Sequence, residues 1–314
     1  MPRKVIIDCD PGIDDAVALG LALFDPRLEV LAVTACAGTV DSDKATENVV
    51  ALIERFDPPR IPRIGAAIDP ESDAAVSNNT LLHGEDGLGN TDFSPVSRQH
   101  SLPSDKLIEK ELRANPGEVT LVCMGPLTGV AKAFSRDAGL AELVDRVVIA
   151  GGSVELKGDE TATSEFNLHF DPKAARQVIH SATTKSLIPL EVTEALQFGL
   201  ELVDQLPPGY SKVGGVLEKI VPHLFRSTRQ HLGRETVSFQ AVMPILMLVE
   251  PMLAQWTTMA CDIEVAGELT RGATVFDRRE PRQWRTNVEV GSNLDVEAAR
   301  DAFFNCLKYA AQIL

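Results

Sequence analysis

The stretch VIIDCDPGIDDAVAL, residues 5–19, passes from an apolar, β-branched run through a turn into an apolar helical pattern. It holds four aspartates. Asp8 and Asp10 close the strand, Pro11 and Gly12 make the turn, and Asp14 and Asp15 open the helix. In open parallel sheets ligands bind beyond the carboxyl ends of the strands, so this junction is where a site is expected. Taken alone, Asp14 and Asp15 are accounted for by favourable interaction with the helix dipole, about 0.3–1 kcal/mol each. That leaves unexplained why Asp8 and Asp10 converge on the same end. Clustered carboxylates repel one another, and a hard dication with oxygen ligands, calcium or magnesium, offsets the repulsion.

Outward from this junction, strand-like and helix-like runs alternate. KVIIDC, EVLAVTAC, EVTLVCM, RVVIAGG and KSLIPLEV read as strands. DDAVALGLALF, DKATENVVALIERF, PLTGVAKAF and DPKAARQVIHS read as the helices between them. The alternation predicts an α/β fold, a mainly parallel open sheet flanked by helices, with right-handed crossovers. Two long polar stretches, residues 67–93 and 151–167, interrupt it; loops this long in a compact domain mark function or disorder. After residue 195 the pattern turns helical, apart from a β-hairpin turning near Gly267, and residues 295–314 form a closing helix. No repeat or linker divides the chain, which predicts a single domain over residues 1–314 with a helical C-terminal elaboration.

Composition limits the partners. Hydrophobic residues make up 44% of 314, enough for a sizeable core, and the net charge is −15. A surface this acidic excludes nucleic acid and anionic lipid as partners. It is compatible with a small uncharged ligand. The five cysteines include no C-x-x-C pair, and most sit inside apolar runs, which fits reduced core thiols in a reducing cytosol. MPRKVII runs straight into a strand without a signal-peptide pattern. No apolar run approaches the about 20 residues of a membrane span. A cytoplasmic protein is the expectation.

Two families place an aspartate cluster after the first strand. Haloacid-dehalogenase-like phosphatases carry D-x-D followed two residues on by Thr or Val; here that place holds Gly12, and the downstream Asp-Asp does not fit them. The longer pattern D-x-D-P-G-x-D-D-A resembles the signature of nucleoside hydrolases, and DCDPGIDDA, residues 8–16, keeps every fixed position. Further segments resemble that family: HGEDGLG at 83–89, MGPLTGVA at 124–131, EFNLHFDPKAA at 165–175, the hairpin at 262–277 and TNVEV at 286–290. On these motifs the chain is similar to the inosine-uridine-preferring nucleoside hydrolases.

The resemblance implies hydrolysis of the N-glycosidic bond of a ribonucleoside to ribose and free base. The transition state of such a reaction resembles an oxocarbenium ion, which an anionic site stabilises. It further implies a calcium ion that holds the attacking water and the ribose hydroxyls. Asp10 would be a calcium ligand and general base, Asp15 a second ligand, and the carbonyl of Met124 a third. Asp14 would bind the ribose 2′-hydroxyl. Glu165 and Asn167, on a segment read as extended, match sugar contacts, and His83 would lie near the pocket. Homodimers or homotetramers are implied as well.

Departures from the family pattern accompany these matches. The family carries His-Asp-Pro ahead of an apolar helix that ends in Asp-Pro. Anchoring on Pro251 and counting back without a gap places Gln240, Ala241 and Val242 at those three positions. Ala241 would then replace a metal-binding carboxylate. Gln240 would replace a histidine associated with leaving-group activation, and an amide is no acid near neutral pH. Thr39 stands where Asn is common, and Asp159 where a sugar-binding Asn is expected. Two readings follow: a hydrolase with reduced activity or a shifted substrate, and a weakly catalytic or non-catalytic protein that binds a ribosyl ligand.

Overall fold

The computed structural model describes residues 1–70, 79–96 and 101–311. Its strands are β1 (Arg3–Cys9), β2 (Leu28–Ala35), β3 (Arg63–Ala66), β4 (Leu102–Pro103), β5 (Val119–Cys123), β6 (Val144–Ala150), β7 (Lys185–Ile188), β8 (Gln255–Met259), β9 (Cys261–Ile263), β10 (Thr274–Phe276) and β11 (Val288–Ser292). The helices are α1 (Ile13–Ala22), α2 (Ser42–Phe56), α3 (Thr80–His83), α4 (Ser104–Ala114), α5 (Thr128–Arg136), α6 (Phe166–Phe170), α7 (Pro172–Ile179), α8 (Leu190–Thr193), α9 (Lys212–Leu232), α10 (Val242–Val249) and α11 (Val296–Ala311).

Nine strands form one open sheet in the order β4-β3-β2-β1-β5-β6-β7-β11-β8. All neighbours are parallel except β8, which runs antiparallel to β11. The chain lays β1 to β4 outward in one direction, then returns to place β5 on the other side of β1. The strand order therefore reverses between β1 and β5, and a crevice opens there at the carboxyl ends of both strands. Asp10 follows β1 and Met124 follows β5, so both lie at this switch point.

Strand β1 is buried on both faces, as its unbroken apolar run predicts. Val5, Ile7 and Cys9 join a cluster with α1, α2, α9, α10 and α11, while Ile6 joins a second cluster with α4, α5 and α7. Alternation along the strand puts Asp8 on the side of Ile6, almost wholly buried. There Thr34 Oγ1 donates to its Oδ1 at 2.5 Å. Burial pushes the Asp8 carboxyl up to about 7. Asp8 is thus a polar core residue, its Oδ1 held by Thr34, and it does not border the cavity described below.

Several elements differ from the sequence reading. The C-terminal region is more than a helical elaboration, because it contributes β8 and β11 to the main sheet. The hairpin is confined to β9 and β10, since the chain changes sheets between Met259 and Cys261. Pro189 ends β7, and the rest of the KSLIPLEV run starts α8 instead. The elements β3, β4 and α4 have no counterpart in that reading, the two strands being only four and two residues long. Of the polar stretch at 67–93, residues 71–78 lie outside the described residues, and α3 occupies part of the remainder.

An aromatic cluster braces the segment that leads into α10. Phe303 on α11 lies 4.5 Å from Phe198 and 6.1 Å from Phe239 between ring centroids, stacked on the latter. Phe198 and Val237 exchange backbone hydrogen bonds at 2.9 Å. Residues 237–241 are thereby fixed against the core. Phe303→Ala removes the hub of this cluster and is expected to lower stability by about 3–5 kcal/mol, read as a shift of the urea midpoint at unchanged m-value.

Candidate active site

Asp10 leaves β1 and enters a slot between the loops after β2 and β5. Thr39 holds its Oδ2 twice, through the backbone N–H at 2.8 Å and Oγ1 at 3.0 Å. A Cβ on Gly38 would come within 2.3 Å of Oδ2, and one on Gly125 within 2.4 Å of Oδ1. Only glycine lets both loops approach the carboxylate this closely. Burial, and then the charge of Asp14, push the Asp10 carboxyl up to about 7.

Asp15 lies in the first turn of α1. Its Oδ2 accepts from Gly12 N–H at 3.1 Å, and its Oδ1 is buried without a hydrogen-bond partner. Burial, Asp10 and Asp14, in that order, raise its pKa well above the carboxylate range. Asp14 turns the other way: its Oδ2 accepts from Ala241 N–H at 3.2 Å. His83 ends α3, and its Nδ1 accepts from Ile13 N–H at 2.9 Å. That bond requires an unprotonated Nδ1, so the ring is neutral with its hydrogen on Nε2. Burial likewise lowers the His83 pKa.

The second wall comes from the ends of β5 and β6. The Asn167 side-chain amide donates to the carbonyls of Met124 at 2.8 Å and Ala150 at 3.1 Å, stitching the two strand ends together. A carbonyl has two acceptor positions, so Met124 keeps one. Glu165 does not sit on an extended segment as expected; it is the N-cap of α6. Its oxygens accept from Asn167 N–H at 2.9 Å, Gly152 N–H at 2.9 Å and Leu168 N–H at 3.1 Å. Burial pushes its carboxyl up to about 8 against these three donors. Asp159 accepts from Phe166 N–H at 2.9 Å on Oδ1 and from Gln240 Nε2 at 3.3 Å on Oδ2.

Of the residues singled out from the sequence, Asp10, Asp14, Asp15, Thr39, His83, Met124, Asp159, Glu165, Asn167 and Gln240 border one cavity of about 320 Å³, whereas Asp8 and Ala241 do not. Ala241 does not line this cavity; it is buried, and its backbone N–H donates to Asp14, which does. Sequence reading did not find the ring of charge at the mouth. Lys157 pairs with Glu194, and Arg234 lies 4.0 Å from the same carboxylate. These three residues come from separate loops, and no spacing in the sequence marks them. Nor did it find Asn48 on α2, whose amide reaches Asp86 O at 2.7 Å and ties the 83–92 loop beside the aspartate turn.

The donors facing the cavity from Asp10, Asp15 and Met124 are all oxygens, and the unpartnered Asp15 Oδ1 is an acceptor in want of a positive charge. This set fits a hard cation. Among the described residues, however, no three His, Cys, Asp or Glu side chains are grouped to enclose an ion by themselves. The set contains two carboxylates and one carbonyl, and the methyl group of Ala241 offers no ligand.

The family model described as inosine-uridine preferring nucleoside hydrolase matches residues 5–301. A non-specific ribonucleoside hydrolase, RihC, of Salmonella enteritidis is 33% identical over 310 residues, covering 98% of each chain. A pyrimidine-specific ribonucleoside hydrolase, RihA, of Salmonella schwarzengrund is 31% identical over 318 residues, covering 99% of this chain and all of the relative. Among solved structures, the plant nucleoside hydrolase PpNRh1 superposes with a TM-score of 0.89 at 27% identity, covering 98% of this chain and 99% of the other. An inosine-guanosine nucleoside hydrolase does so with a TM-score of 0.86 at 27% identity, both chains being fully covered.

The two glycines give a graded test of the slot. In Gly38→Ala the three atoms nearest the new methyl all belong to the Asp10 side chain, whereas in Gly125→Ala they include Asp10 N at 2.9 Å and Cys36 Sγ at 2.8 Å. Overpacking costs about 1–3 kcal/mol. Gly125→Ala is expected to be the more destabilising of the two in denaturant melts, because backbone cannot rotate away. Equal melts would show that the slot relaxes.

Proposed function

Because the chain belongs to the inosine-uridine preferring nucleoside hydrolase family, a family of N-glycosyl hydrolases, we propose that it uses this cavity to cleave a ribonucleoside with water, releasing ribose and a free base. The carrying observation is the pair of buried carboxylates, Asp10 and Asp15, at the switch point of the sheet beside the Met124 carbonyl. One nine-stranded sheet takes strands from both ends of the chain, which supports reading residues 1–314 as one domain. Five free, buried cysteines support a cytoplasmic setting, and among the described residues no helix is long and apolar enough to cross a membrane. Exposed apolar side chains such as Met252, Leu269 and Tyr210 offer surface for self-association.

The family typically depends on a metal, and calcium is our choice for this oxygen-only donor set. Calcium, when bound, supplies a positive charge that makes water more acidic and draws ribose hydroxyls into the cavity. Asp10, Asp15 and the Met124 carbonyl would hold it. Asp10 is also the general base: Thr39 fixes Oδ2, which leaves Oδ1 to take the proton of the attacking water. Asp14, oriented by Ala241 N–H, accepts from the ribose 2′-hydroxyl. Asn167 positions the Met124 carbonyl, and the carboxylates of the wall stabilise positive charge as it develops on the sugar ring.

Relatives differ in their stated base preference: non-specific for RihC, pyrimidine-specific for RihA and inosine-guanosine for one solved structure. The ribose end therefore supports the reaction type, and the base end must set the substrate. A second reading, a weakly catalytic or non-catalytic ribosyl-binding protein, is favoured by Gln240 and Ala241 alone. Ribose release from a nucleoside panel separates the two.

Two variants test the assignment. Asp10→Asn keeps size and removes the base, and is expected to lower ribose release about 100-fold or more with the circular dichroism spectrum unchanged. Near-normal release would move the base elsewhere. Ala241→Asp adds a carboxylate beside Asp14. It is expected to tighten calcium binding about tenfold, or ~1.4 kcal/mol, and to lower the metal-free melting temperature through repulsion. Its calcium-dependent shift in melting temperature should exceed that of the wild type; an equal shift would mean that residue 241 does not face the metal.

A further inference from the structure

A second cavity, of about 570 Å³, opens where β6, β7 and β11 begin, with Val144, Lys185 and Val288 on its wall. These strands are parallel, and the candidate active site lies at the carboxyl ends of the sheet, so the two cavities are at opposite ends and share no residue. We propose that the second cavity binds a phosphate group, with the Lys185 ammonium as its main contact and the Thr183 hydroxyl beside it.

Lys185 is only 3% exposed. Its Nζ donates to the carbonyl of Ser181 at 2.6 Å and makes no other hydrogen bond and no ion pair among the described residues. An ammonium has three donors, so two remain. Burial alone pushes the amine down to about 8, which leaves it mostly charged at neutral pH. A carboxylate close by would have pushed it the other way. Buried charges are ordinarily paired, because an isolated one is costly. Here the protein supplies no counter-charge.

The two glutamates on the wall do not fill that role. Glu289 stands opposite Ser186 in the pairing of β11 with β7. Side chains alternate along a strand, so Glu289 and Ser186 share one face of the sheet and Lys185 takes the other. On its own face Glu289 is paired with Arg146, which also donates to Ser186 Oγ at 2.6 Å. Glu142 is exposed to solvent.

A second observation comes from the segment that leads into β7. Thr183 Oγ1 is buried without a hydrogen-bond partner, two residues before Lys185 and on the same cavity wall. Thr184 and Thr286, both exposed, add further hydroxyls to that wall. Two N–H groups and a hydroxyl call for several acceptor oxygens on one group. Water could meet the donors but not the charge. A phosphate group meets both, since lysine binds it as a point charge through short, charge-assisted hydrogen bonds.

The test uses calcium-free protein and inorganic phosphate, with the melting temperature read against sodium chloride at equal ionic strength. Saturating phosphate is expected to raise the melting temperature by about 2 °C or more over the chloride control. Lys185→Met keeps the length of the side chain and removes the charge, and is expected to lose that rise. Thr183→Val keeps the shape of the threonine and is expected to reduce it. No rise beyond chloride in the wild type would overturn the proposal. An equal rise in Lys185→Met would do so as well, since phosphate would then bind elsewhere. Should Lys185→Met fail to fold, Thr183→Val decides, and an unchanged rise in that variant overturns the site. None of these readouts involves ribose release, so the site stands or falls apart from the hydrolase reading.

Discussion

Asp10 and Asp15 must be kept out of water and near one another, and the fold around the site is arranged by that constraint. Isolated charges in such a place are costly. What makes the arrangement tolerable is backbone: Thr39 N–H and Gly12 N–H meet one oxygen of each carboxylate, and two glycine loops close around Asp10. The other oxygen of Asp15 is buried without a hydrogen-bond partner. Bringing the loops after β2 and β5 onto the residue after β1 requires β1 to lie between those strands, and the sheet order provides this. The central strand is in turn apolar on both faces because helices cover both, which is why its sequence shows no alternation.

The parts of the fold legible in the sequence are those with long, strongly patterned elements. Val5–Cys9, Leu28–Ala35 and the helices after them carry enough apolar periodicity to be read directly. The strands β3, β4, β8 and β11 do not. Each is two to five residues long, and β8 (QWTTM) is half-exposed along most of its length. Their strand state comes from the neighbour they pair with, which is a tertiary fact. Glu165 shows the same limit at one residue. A carboxylate two positions before an amide reads equally as a sugar contact or as a helix cap. Only the N–H groups of Asn167 and Leu168, which converge on it from the first turn, show that it caps α6.

The site divides along the same line. Its inner end was legible because DCDPGIDDA and MG sit at strand ends, where the topology fixes what side chains and carbonyls can reach. Its outer end is assembled from Lys157, Asp159, Glu194, Arg234 and Gln240, which lie on loops far apart in sequence and meet through side chains alone. Gln240 was legible only because Pro251 supplied a register, and its partner Asp159 only through resemblance.

This difference in construction also bears on how such a site diverges. At the inner end a change at Gly38 or Gly125 strikes the Asp10 carboxylate at once, so few alternatives fold. At the outer end a side chain can be exchanged without moving the backbone, because the aromatic cluster at Phe198, Phe239 and Phe303 holds residues 237–241 whatever residue 240 is. Gln240 and Ala241 occupy the seam between these two regimes. The backbone N–H of Ala241 orients Asp14, a task any residue but proline performs, while the Gln240 side chain reaches Asp159. The scaffold therefore holds the inner carboxylates in place while the side chains that line the outer end are free to change.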